Sequence, residues 1–77
     1  ELLTISYITA SFVIGKIGEK VFISGRSIGS INVQIILEKL GGGGHITLAG
    51  AQIEGLTLEE AKDELIIRIN EYLTEIE

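Results

Sequence analysis

The sequence has no cysteine, proline, methionine or tryptophan, and it holds a single histidine, His45, and a single aspartate, Asp63. Without cysteine there is no disulfide framework and no thiolate metal site. One His and one Asp supply neither a multi-ligand metal centre nor a Ser-His-Asp triad with any redundancy. Two Tyr and two Phe are too few for the aromatic surface on which single-stranded nucleic acid stacks. No apolar run approaches the ~20 residues of a membrane-crossing helix. Bases are scarce, six Lys and Arg against eleven acids, for a net charge of −5. A protein that gripped a polyanion by bulk electrostatics would carry a basic stripe, and this one has none.

What remains is a small folded domain. Its 77 residues are 45% hydrophobic and 22% charged, too apolar for a disordered chain. At this size about 60% of the unfolded surface is buried, so the core is thin and single. Charge is uneven along the chain. Residues 1–50 carry four bases (Lys16, Lys20, Arg26, Lys39) against three acids, and residues 51–77 carry two bases against eight acids. Any anion is therefore expected on the first half, held by local geometry. The chain opens on Glu1 and lacks Met. The expectation is that residues 1–77 form one domain, a C-terminal fragment of a longer multidomain protein whose catalytic machinery lies outside it.

Strand formers fill residues 10–17 and recur at Val21-Phe22-Ile23, with Gly18-Glu19-Lys20 between them, which predicts a hairpin. The first strand is expected to reach back toward Ile5 through Tyr7, Ile8 and Thr9. Glu1-Leu2-Leu3 reads as the stub of a preceding helix. Residues 30–40 predict a helix: Val33, Ile36, Leu37 and Leu40 make one apolar stripe, Ser30 or Asn32 offers a capping oxygen, and Gly41 sits where a left-handed cap belongs. Residues 58–76 predict a second helix, its stripe running from Leu58 through Ala61, Leu65, Ile69 and Tyr72 to Ile76. Thr57 and Glu60 form a capping box at its start, and Glu64 with Arg68 an i, i+4 pair. Ala49 to Ile53 suggests a third strand. The expected fold is α+β: a small mixed sheet of three to five strands covered by two main helices, in the order strand-strand-helix-strand-helix.

Between the helices stands Gly41-Gly42-Gly43-Gly44-His45. Each ordered glycine forfeits roughly 0.5–1 kcal/mol relative to Ala, and a helix cap accounts only for Gly41. One reading is an anion cradle in which the N–H groups of Gly43, Gly44 and His45 converge on an oxyanion, residues 45–49 beginning a new helical turn. His45 adds a ring N–H, and Arg26 closes the site with a bidentate fork. The competing reading is a bent connector with His45 solvated. Lys16, Lys39, Tyr7 and Phe12 are read as solvated-face or packing residues. Two familiar glycine loops drop out. No Lys-Ser/Thr follows a glycine, as a Walker A loop requires, and G-x-G-x-x-G needs a glycine at Ile46 or Thr47.

Gly41 to Gly50, read as Gly-Gly-Gly-Gly-His-x-x-x-Ala-Gly, resembles the signature of the DHH-associated C-terminal domain. This domain accompanies DHH phosphoesterases, which include RecJ-like exonucleases, nano-RNases and cyclic-di-AMP phosphodiesterases. Ala10 to Ile14, Ile23 to Gln34 and Leu37 to Gly41 are most similar to the membrane-bound GdpP type. The resemblance covers essentially the whole chain.

It implies the substrate-recognition half of a phosphodiesterase that hydrolyses cyclic-di-AMP or its linear dinucleotide. Gly42, Gly43, Gly44 and His45 would contact a phosphate, Arg26 and Ser27 would fix the nucleotide or its second phosphate, and Asn32 is a further candidate. Manganese would be held by a preceding DHH domain of the same chain, leaving no catalytic residue, metal ligand or cofactor here. The fragment alone would be inactive. The resemblance also implies a cytoplasmic domain, a parent anchored in the cell membrane and a homodimeric parent. The family tends to have Ala or Asn three residues after the His, where this chain has Leu48. Two alternatives stand beside this reading: a module binding short single-stranded nucleic acid, as in the exonuclease branch, and a structural or interaction domain whose glycine run is a connector.

Overall fold

The structure, a computed structural model, describes residues 2–5, 10–29, 31–46 and 48–76, with the side chains of residues 2–5 excepted. Five strands and two helices follow in the order β1 (Leu2–Ile5), β2 (Ala10–Ile17), β3 (Lys20–Ser27), α1 (Val33–Glu38), β4 (Gly43–Gly44), β5 (Leu48–Glu54) and α2 (Leu58–Glu75). The class is α+β, and the expected strand-strand-helix-strand-helix order runs through it. Spatial order in the sheet is β1-β2-β3-β5-β4. All four pairings are antiparallel, so the sheet is not mixed. The reason lies in the connections. Gly18 and Glu19 turn β2 straight back into β3, and β4 and β5 form a second hairpin. The crossover through α1 returns β5 antiparallel to β3.

The β2–β3 hairpin is longer than its apolar runs suggest. Register continues from Ile17↔Lys20 to Ala10↔Ser27, because alternation persists through polar residues that face outward. Ala10, Phe12 and Ile14 of β2 are buried, as are Val21, Ile23 and Ser27 of β3 and Ala49 and Ala51 of β5. The alternate residues are exposed or only partly covered, so one face meets the helices and the other stays open. Leu2–Ile5 is a strand rather than a helix stub: β2 has an unpaired outer side, and these residues extend along it from Leu2↔Val13 to Ile5↔Ala10. Tyr7, Ile8, Thr9 and Ser30 lie outside the described residues.

Both helices bury the stripes their spacing defines. Ala61, Leu65, Ile69 and Tyr72 of α2 are buried, with Leu58 and Ile76 exposed at its ends. The Glu60 N–H donates to Thr57 Oγ1 at 3.1 Å and the Thr57 N–H to Glu60 Oε1 at 2.9 Å, which completes the capping box. Helix α1 is shorter than the predicted 30–40. Asn32 caps its start, Oδ1 accepting the Ile35 N–H at 3.1 Å. The chain leaves the helix after Glu38, and Gly41 takes φ +85° in the exit turn. The core is one cluster in which Phe12, Ile23, Ile36, Leu37 and Leu65 meet between sheet and helices.

Candidate phosphate-binding site

The glycine run does not lead into a helical turn. Gly43 and Gly44 form β4, opposite Gly50 and Ala49, and the His45 N–H donates to Leu48 O at 2.7 Å. The segment folds as a hairpin because Leu48–Glu54 alternates in burial and takes the strand position beside β3. This alters which amides are free. The Gly41 N–H donates to Glu38 O at 3.0 Å and the Gly42 N–H to Leu37 O at 2.8 Å. The His45–Leu48 bond fixes the phase of the ladder, making Gly43 and Gly50 a hydrogen-bonded pair and Gly44 and Ala49 the pair between. The Gly44 amide therefore faces away from β5, toward the free edge of the sheet. One outward amide replaces the expected group of three.

The glycines also divide by necessity. A Cβ on Gly42 would lie 2.1 Å from Gly50 O and 2.7 Å from Ala51 Cα. At Gly44, φ is +137° and a Cβ would stand 2.7 Å from Ala49 Cα. Gly43 has neither constraint: a Cβ there meets nothing within 4 Å, and its φ is not in the left-handed region. The fold accounts for Gly41, Gly42 and Gly44 and leaves Gly43 unexplained.

Cross-strand register places the other candidates. Arg26 of β3 stands between Ser11 of β2 and Leu48 of β5 on the open face, and the Leu48 carbonyl holds the His45 amide. Arg26, Leu48 and His45 thus occupy one row across the sheet, with Gly43 and Gly44 at its outer corner. The Arg26 guanidinium has no carboxylate partner among the described residues. Ile46 O accepts the Val33 N–H at 3.0 Å. The hairpin turn thereby sits beside the positive end of α1 rather than its negative end.

Ser27 and Asn32 lie apart from this row. Ser27 is 3% exposed on the helix-covered face, and its Oγ accepts the Gly29 N–H at 3.2 Å. It braces the turn that follows Arg26. Asn32 caps α1 with its side chain and donates its own N–H to the Tyr72 hydroxyl at 2.9 Å. Lys39, read as solvated, forms an ion pair with Glu75 at 3.0 Å. Phe12 is fully buried in the core.

Two residues escaped sequence reasoning. Ser11 and Ser24 line a concavity of about 210 Å³ together with Arg26, Val13 and Leu48. The period-2 pattern around Arg26 carried this signal: residues two apart on one strand share a face. Among the described residues no three His, Asp or Glu side chains come together as a metal-holding group. The donor set therefore does not fit manganese, and no step is assigned to a metal in this chain. No helix of the described residues is long and apolar enough to cross a membrane.

The family model of the DHHA1 domain matches residues 1–75. The chain belongs to the DHHA1 domain family. This DHHA1 domain is 53% identical over 72 residues to the cyclic-di-AMP phosphodiesterase GdpP of Geobacillus thermodenitrificans. It is 47% identical over 72 residues to the cyclic-di-AMP phosphodiesterase PdeA of Listeria monocytogenes. Each alignment covers 92% of this chain and 11% of the relative. The bifunctional oligoribonuclease and PAP phosphatase NrnA of Thermus thermophilus is 41% identical over 73 residues, covering 91% of this chain and 22% of that protein. The DHHA1 domain thus spans about a tenth of the length of the two cyclic-di-AMP phosphodiesterases.

Proposed function

We propose that this DHHA1 domain is the substrate-recognition part of a DHH-family phosphodiesterase that hydrolyses cyclic-di-AMP or its linear dinucleotide. The carrying observation is the row of Arg26, which has no carboxylate partner among the described residues, and His45 beside Gly43, the one glycine of its run that the fold does not need. The relatives' activity as cyclic-di-AMP phosphodiesterases supports the substrate class.

In this reading Arg26 presents its fork to two oxygens of a phosphate, the Gly44 N–H donates from the sheet edge, and the His45 ring donates beside it. Gly43 keeps the approach clear, Gly42 and Gly44 hold the hairpin close to β5, and Ser27 and Asn32 brace its surroundings. Bond cleavage belongs to a DHH domain of the full-length protein, where the family's manganese is held. Membrane anchoring, a cytoplasmic position for this domain and dimerisation are properties of that parent in the same proposal.

The test is cyclic-di-AMP hydrolysis by full-length protein carrying Gly43→Ala or His45→Ala. Both variants should fold as the parent does and lose at least about tenfold in kcat/KM, His45→Ala through one lost hydrogen bond to a charged group and Gly43→Ala through a methyl group set in the phosphate's approach. Unchanged turnover in both would overturn the recognition role and leave a connector. Oligoribonucleotide competition separates the second reading, favoured by the NrnA likeness. A short RNA that competes as well as cyclic-di-AMP, with a steep salt slope, would replace the dinucleotide as substrate.

A further inference from the structure

The phosphate corner opens into a trough along the uncovered sheet face. The concavity beside Arg26 shares Val13 and Ser24 with a second one of about 540 Å³, which extends over Gly15, Gly50, Phe22 and Gln52. Register gives its layout. Val13, Ser24, Gly50 and Gly43 form one row across the strands, and Gly15, Phe22 and Gln52 form the next. Successive rows on one face are two residues apart, about 7 Å.

The trough pairs an apolar surface with a polar edge. Phe22 is 40% exposed and Val13 54% exposed, although both are large apolar residues in strands. Gly15 and Gly50 remove side chains from the floor, and the fold asks for neither. A Cβ on Gly15 meets nothing within 4 Å, the nearest atom to one on Gly50 is Ile23 O at 3.6 Å, and neither has a positive φ. Strand glycines with room for a side chain mark a place where something approaches closely. Beside Phe22, the Gln52 amide carries a donor and an acceptor together, the pair that matches the N6 and N7 edge of adenine. Charge on this face fits an anion nearby: of its Lys20, Arg26 and Glu54, Lys20 stands opposite Glu54, which leaves Arg26 as the surplus.

We propose that the trough is a nucleobase subsite, in which a purine joined through its ribose to the phosphate at the Gly43 corner lies over Gly15 and Gly50 against Phe22, its edge read by Gln52. The subsite rests on the phosphate reading given above. Arg26 and the hairpin hold the charge that every dinucleotide shares, and the trough supplies preference for a base.

The experiment measures binding to full-length protein of two probes, cyclic-di-AMP and its base-free analogue, the cyclic ribose-phosphate dimer. Three variants are compared: Phe22→Ala, Gly15→Val and Arg26→Ala. Gly15→Val fills the floor at a position with free space and a strand-favouring residue, so it should fold with an unchanged or higher thermal midpoint. Phe22→Ala and Gly15→Val should each weaken cyclic-di-AMP by about tenfold, within the range of base–aromatic stacking, and leave the base-free probe unchanged. Arg26→Ala should weaken both probes alike. If Arg26→Ala leaves both probes unchanged, the phosphate reading fails and the subsite with it. If Arg26→Ala acts as expected while the trough variants change neither probe, or change both equally, the base subsite alone is overturned. A trough variant that alters oligomeric state or thermal midpoint without selective loss of cyclic-di-AMP overturns it too, and assigns the face to a protein contact.

Discussion

Arg68 lies on α2 between Glu64, at 3.1 Å, and Glu71, at 3.0 Å, whereas Arg26 stands on the open sheet face of the same acidic chain with no carboxylate beside it among the described residues. Hydrogen bonds to Glu71 and then Glu64 raise the Arg68 pKa above its ordinary value, reinforcing a charge that is always present. The contrast shows how acid is distributed. Most of it rides on α2, where it neutralises bases and complements the helix start, and the sheet face opposite is nearly free of it. A net charge of −5 therefore says little about what the open face can bind. One side of the sheet is spent on stability, and the other is kept available.

The sharpest way to break this division is to alter the covered side and look for an effect confined to folding. Leu65→Ala empties a fully buried position and should destabilise the protein by about 2–5 kcal/mol in a denaturant titration. Where the variant remains folded, its affinity for cyclic-di-AMP should be that of the parent. Exchanging the two arginines in the test comes next. Arg26→Ala should lower affinity at least about tenfold with no shift in thermal midpoint. Arg68→Ala should move the midpoint slightly and leave affinity alone. If Arg68→Ala weakens binding as much as Arg26→Ala does, the division does not hold.

The smallest effect belongs to the α2 cap. Thr57→Ala should cost about 1 kcal/mol. It should also change the acid limb of the stability curve, because the Thr57 backbone and hydroxyl hydrogen bonds lower the Glu60 pKa below its ordinary value of 4.5. With a depressed folded pKa, the contribution is complete above that ordinary value and disappears as pH falls through the lowered one. Comparing the parent and Thr57→Ala from pH 7 down to pH 2 should show the difference between them narrowing on acidification. A constant difference would remove Glu60 from the account.

How much of this was legible varied with the kind of residue. Helix α2 was readable almost to the residue, because its capping box and four-residue stripe are local signals. The hairpin was readable at its turn and underestimated in length, since Ser24 and Arg26 continue β3 as outward-facing polar residues and interrupt only the apolar run. The glycine run was recognisable as unusual, but its geometry was not. Whether Gly43 and Gly44 enter a helix or a strand depends on β5 offering them a partner, and that is a tertiary fact. Ser27 shows the same limit. Adjacent to Arg26 in the chain, it points to the opposite side of the sheet, although the family resemblance implied one site for both. Leu48 stood out as a departure from the family, while its place opposite Arg26 emerged only with the register.

The shortness of β4 has a further consequence. A long, flat sheet margin invites another polypeptide to add itself by main-chain pairing, the route to aggregation. Here that margin is two glycines, with the hairpin turn at one end and the exit from α1 at the other. An approaching strand finds too little ladder to extend at β4, whereas in the proposed reading a small anion needs only the single amide at Gly44. Of the two edge strands, β1 and β4, it is the shorter one that would serve a solute rather than another polypeptide.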